Sequence, residues 1–124
     1  MTPVRQNVLF AKDAIGNGNC FAACLASLLD VPLWMVPPFE QMWGRDDWRL
    51  RVNQWLERFF KMTLVRRVDH VPAELPVFYI ASGRSPRGVY HSVIFSHGQL
   101  AHDPHFSDAG VEEVEWTWHL EPIA

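Results

Sequence analysis

A chain of 124 residues can bury one hydrophobic core but is too short for two domains. With 48% apolar and 20% charged residues its composition is that of a globular protein, not a disordered or fibrous one. The formal net charge of -3 gives no reason to expect a nucleic-acid or acidic-lipid surface, and no apolar run approaches the roughly 20 residues that span a bilayer.

The chain opens with "MTPVRQNVLFAKDA", which has neither the apolar core nor the cleavage site of a secretory signal. The expected location is therefore cytoplasmic, with both cysteines, Cys20 and Cys24, reduced. Within this opening, "RQNVLFAK" (5–12) has the residues of a short strand. A Gly/Asn loop follows, and the spacing then predicts a helix from Cys20 to Leu29. There Phe21, Cys24, Leu25, Leu28 and Leu29 make one broad apolar stripe.

"DVPLWMVPPF" (30–39) is broken by prolines and reads as an ordered, turn-rich connection. A second helix is expected from Arg45 to Phe60. Trp48, Val52, Trp55, Leu56 and Phe59 would face the core, and Arg49, Arg51 and Glu57 would face water. After "MTLVRRV" (62–68) the pattern turns to strands: 76–82, 88–95, 99–103 and 111–120, each short and bounded by Gly, Pro or Ser. Helices first and antiparallel strands afterwards predict a single α+β domain over 1–124, with the N-terminal helices packed on an antiparallel β-sheet.

On this frame the chemistry concentrates at three positions. Cys20 stands where the loop becomes a helix. Unpaired backbone N–H groups and the positive end of the helix dipole stabilise a thiolate there. Cys24 is one turn on and reads as core filler. A nucleophilic thiol needs a base, and His91 in "GVYHSVIF" is the candidate. A three-residue hairpin loop, Ser96-His97-Gly98, would set Phe95 against Gln99 and His91 against Asp103. A two-residue turn would instead set His91 against Pro104 and send Asp103 to the other face, leaving Asp108 as the nearest alternative carboxylate.

His97, His102 and His105 beside Asp103 raise the question of a metal. Strand alternation, however, separates His102 from Asp103, and no cofactor is expected. "GRSPRG" (83–88) is a loop by composition. It leads straight into His91, which makes Arg87 a candidate for the rim of a substrate site.

A cysteine opening a helix, followed by a histidine and an orienting Asn or Asp on later antiparallel strands, resembles the papain-like cysteine peptidase fold. The likeness is nearest to small bacterial and phage-encoded relatives. It is carried by "GNCFAACLASLLDVPLWMVPPF" (18–39) and "GRSPRGVYHSVIFSHGQLAHDPHFSDAG" (83–110), about two fifths of the chain. The resemblance implies a Cys20–His91–Asp103 triad that hydrolyses a peptide, protein or small amide substrate through an acyl-thioenzyme. The same fold also serves acyltransferases, deamidases and catalytically inactive binding modules. One departure stands out: no glutamine precedes Cys20 in the loop, Gln6 being far upstream. The oxyanion amide would then come from Asn17, the preferred residue, or from Asn19. The alternative is that both merely shape the loop or cap the helix.

Overall fold

The computed structural model describes residues 1–7, 18–68 and 76–123. It has two helices packed on a five-stranded antiparallel sheet. Helix α1 spans Cys20–Leu29, the range its periodicity predicts. It ends where Asp30 takes a left-handed φ of 57°, and the backbone N–H of Asp30 returns to the last turn. Every residue from Phe21 to Ser27 is buried, so α1 is a central helix rather than a surface one.

Helix α2 spans Phe39–Phe60, starting earlier than the expected Arg45. Pro38 sits at its N-cap, where a missing N–H is harmless, so the prolines open the helix as well as ending the preceding 3₁₀ turn, Leu33–Met35. Val52 and Leu56 are fully buried as predicted, with Trp48 and Trp55 packed beside them. Phe59 is 62% exposed, against expectation, and Phe60 takes its place against the core. Phe21 of α1, Trp48 of α2 and Trp118 join the two helices to the sheet through edge-on ring contacts of 4.9, 5.6 and 5.5 Å.

The strands are β1 (Met62–Arg67), β2 (Tyr79–Arg84), β3 (Tyr90–Ser96), β4 (Gln99–His102) and β5 (Glu113–Pro122), in spatial order β1-β5-β2-β3-β4. β1 falls on "MTLVRR", ahead of the stretches that read as strands. It is an edge strand with both arginines in water, so its apolar alternation is incomplete. β4 starts at Gln99 as expected, whereas β2, β3 and β5 start two or three residues later than expected, β2 running on into the "GRSPRG" stretch as far as Arg84. Residues 5–7 form no strand, and the rest of the strand expected over 5–12 lies outside the described residues.

Gly83 makes the β2–β5 pairing possible. A Cβ there would lie 2.0 Å from the carbonyl oxygen of Glu113, at the point where the register shifts by one residue. Leu64, Ile80, Ile94 and Trp118 belong to the core shared with the helices. Tyr79, Ala81, Val93 and Thr117, on the alternate face, are also fully buried.

The β3–β4 hairpin differs from the three-residue loop expected. Ser96 pairs with Gln99, so the turn has two residues, His97 and Gly98, with φ of 53° and 78°. Positive φ at both central positions is the type I′ geometry, whose twist matches that of the strands it joins. A bulge follows: Phe95 pairs with Leu100 but Ile94 with His102, leaving Ala101 as the extra residue.

Candidate active site

The bulge decides where Asp103 points. A two-residue turn by itself would put Asp103 on the face opposite His91. The extra residue at Ala101 restores the parity, so Asp103 and His91 share a face after all. They meet directly: His91 Nε2 lies 2.6 Å from Asp103 Oδ1, with His91 4% and Asp103 1% exposed. The second imidazole nitrogen, Nδ1, is left for another partner.

Asp103 is held from three sides. Its Oδ1 also accepts from the N–H of His105, and its Oδ2 from the N–H of Gly110, both at 2.8 Å. Burial pushes the Asp103 carboxyl up, and the bonds from His91, His105 and Gly110 outweigh it, so the carboxyl stays below its ordinary range. Arg5 braces the same loop, donating to the carbonyls of Asp103 and His105 at 3.1 and 2.6 Å and pairing with Asp108 at 2.9 Å. Asp108, the alternative carboxylate, is thus turned outward onto Arg5.

The N-terminal segment fixes which end of α1 faces this pair. Thr2 N–H bonds the Ser27 carbonyl and Val4 N–H bonds Ser27 Oγ, while Asn7 N–H bonds Asn19 Oδ1. The segment therefore runs from the end of α1 back to its start. Along its other side, the Val4 carbonyl meets His102 Nε2 at 2.7 Å and Gln6 N–H meets the Pro104 carbonyl at 3.0 Å. The order 102 to 104 thus follows the strap toward the start of α1, and Cys20 and Asp103 lie at the same end of the sheet. Cys24 gives a second tie, its Sγ lying 3.5 Å from the main-chain carbonyl of Ser92, the residue after His91. Cys20, one turn earlier on that helix face, is partly exposed, whereas Cys24 is fully buried.

The remaining sequence candidates fall in different places. Asn19 is at the N-cap position, but its side chain makes no capping bond. Its Nδ2 donates to Asn7 Oδ1 at 2.6 Å, and its Oδ1 accepts from Asn7 N–H. Asn17 lies outside the described residues. Arg87 is exposed, and its charge reaches His105: burial first, then Arg87, holds the His105 imidazole below the ordinary histidine range. His97 is at the hairpin tip and His102 is bonded to the strap. Among the described residues no group of three or more His, Cys, Asp or Glu side chains is placed to hold a metal ion. No helix among them is long and apolar enough to cross a membrane.

The sequence raised His105 only as a metal ligand and did not place it beside His91. The His105 ring is edge-on to His91 at 6.1 Å, its Nδ1 lies 2.8 Å from Ser107 Oγ, and Phe106 stacks on it at 4.3 Å. "HDPHFSD" carried the signal, since a histidine two residues past the acid keeps the same parity. Neither protein-family models, curated proteins nor solved structures give any match to this chain.

Proposed function

We propose that this protein is a papain-like cysteine hydrolase that cleaves a peptide or other amide bond. The observation that carries the reading is the buried His91–Asp103 pair, lying at the end of the sheet where a partly exposed cysteine opens the central helix. A carboxylate on Nε2 holds the imidazole in the tautomer whose Nδ1 is a base, and it stabilises the imidazolium once formed. His91 takes the Cys20 proton, and the helix N-terminus stabilises the thiolate. The thiolate adds to the substrate carbonyl. The Cys20 main-chain N–H donates to the oxyanion, with Asn17 the side-chain amide proposed beside it, since the Asn19 amide is engaged with Asn7. Imidazolium gives its proton to the leaving amine, and water, deprotonated by His91, then releases the acid from the thioester.

The test is covalent labelling with a peptidyl acyloxymethyl ketone, followed by peptide mapping. Modification of Cys20, lost in Cys20→Ala and slowed near neutral pH in His91→Ala, is the expected result. Labelling that is absent, or confined to Cys24, overturns it and leaves a binding module. Product analysis with added amine separates hydrolysis from acyl transfer.

A further inference from the structure

We infer that Arg49 and Arg66, laid on Trp118 beside the start of α1, form an anion-binding patch that selects acidic polypeptide as the substrate of the proposed active site. That the polypeptide is a substrate rests on Cys20 being the nucleophile; that it is acidic does not.

Charge is spread unevenly along the chain. Residues 45–67 hold seven of its eleven Lys and Arg but only three of its fourteen Asp and Glu. A protein of net charge -3 thus carries a basic segment, most of α2 and all of β1, on an otherwise acidic body. Positive potential concentrated there attracts anions that the molecule as a whole repels.

Two of these side chains come from different elements and meet on one ring. Arg49 of α2 lies over the Trp118 indole at 4.9 Å, and Arg66 of β1 at 5.9 Å. Both arginines are exposed, while Trp118 is 3% exposed. A guanidinium stacked on a ring is held by its face, so its edge keeps the fork of N–H donors that matches a carboxylate. Arg5 finds such a partner in Asp108, but among the described residues neither Arg49 nor Arg66 has a carboxylate within ion-pairing distance. Glu115, on the neighbouring stretch of β5, accepts instead from the Tyr90 hydroxyl at 3.4 Å. Arg66 also covers Trp116 at 5.7 Å, whose buried indole N–H has no acceptor among the described residues. This face is short of acceptors as well as of negative charge.

Position ties the patch to the site. Trp118 meets Phe21 edge-on at 5.6 Å, and Phe21 directly follows Cys20. One indole therefore separates both guanidiniums from the first turn of α1. A chain whose carbonyl sits at Cys20 reaches the patch within a few extended residues, each advancing about 3.3 Å. Polypeptide fits this patch better than nucleic acid. Trp118 is buried and Trp116 is already stacked on Tyr90 at 6.1 Å, so the patch offers forks for carboxylates but no open ring for bases.

Two measurements at low salt test this. In the first, ¹⁵N-labelled Cys20→Ala protein is titrated with acetyl hexapeptide amides that alternate Ala with Glu, Gln or Lys. The Glu peptide should bind at least tenfold tighter than the other two and shift the Trp118 indole signal. Arg49→Gln and Arg66→Gln should each weaken it severalfold, and together they should remove the preference. Arg58→Gln, which takes away a charge stacked on Phe59 further along α2, should leave it intact. No preference for Glu, an equal loss in Arg58→Gln, or equal binding of an oligothymidylate of the same charge overturns the patch. In the second, saturating Glu peptide competes with an acetyl-alanyl acyloxymethyl ketone for Cys20 of the unaltered protein. Labelling should slow at least tenfold, and the Gln peptide should have no such effect. Binding without this protection overturns the link to substrate. Binding with no labelling of Cys20 under any condition would sink the hydrolase reading and leave the acidic-polypeptide patch standing.

Discussion

Replacing Asp103 by Asn keeps the side chain's size and changes what it can accept. The carboxylate takes three hydrogen bonds, from His91 Nε2 at 2.6 Å and from the N–H groups of His105 and Gly110 at 2.8 Å. An amide oxygen in the Oδ1 position can keep the first two, but its NH₂ then points at the N–H of Gly110. Flipped, it keeps Gly110 and opposes the other two. Either way a donor in a site 1% exposed loses its acceptor, and the remaining bonds lose their charge assistance. The expected cost is about 2–4 kcal/mol at pH 7, measured by urea denaturation of Asp103→Asn beside the unaltered protein. The pH dependence gives a sharper check. The folded carboxyl titrates below the ordinary 3.8 that the unfolded chain retains, so its contribution is complete above that value and is lost as pH falls through the folded one. The stability gap between the two proteins should stay level from about pH 7 to pH 5 and narrow below about pH 4. A gap under about 0.5 kcal/mol at pH 7, or one that persists undiminished into acid, would refute the account of Asp103 as a buried, fully bonded anion.

Cys20 is partly exposed and Cys24 is buried against the Ser92 carbonyl, so iodoacetamide at neutral pH should modify Cys20 at least a hundredfold faster, as read by peptide mapping. Gly83→Ala would drive a methyl to 2.0 Å from the Glu113 carbonyl oxygen, so its cost should reach or exceed the roughly 1–3 kcal/mol of ordinary overpacking. Chemical denaturation with little change would mean β2 and β5 pair differently. Arg87→Gln removes a positive charge acting on His105, so the His105 pKa should rise toward the ordinary value while burial still holds it below. NMR titration of the ring tests this, and a fall would contradict the sign. Because folding favours the neutral His105 ring, its contribution to stability is whole above pH 6.5 and is lost as pH falls through the folded value, a loss that Arg87→Gln should soften.

Local pattern carried α1 from sequence to structure unchanged, because a 3.6-residue apolar period and a helix-ending Asp30 act over one or two turns of chain. The α+β class followed in the same way from the order of periodic segments. Cys20 at a helix start, with His91 and Asp103 near adjacent strand ends, was readable too. What failed was register. "SHG" is compatible with two loop lengths, and the type I′ turn at His97-Gly98 was selected along with a bulge at Ala101 that no local signal marks. Two departures from the expected pairing cancel, and the His91–Asp103 contact emerges by a different route from the one the hairpin count predicts. Asn19 shows the same limit. As a residue before a helix it reads as a cap, but its amide is claimed by Asn7, from a segment that the fold threads between α1 and the Pro104 strand end. Periodicity encodes which face of an element is apolar. Which partners a polar side chain finds depends on segments brought together only when those faces are buried, and that choice belongs to the tertiary structure.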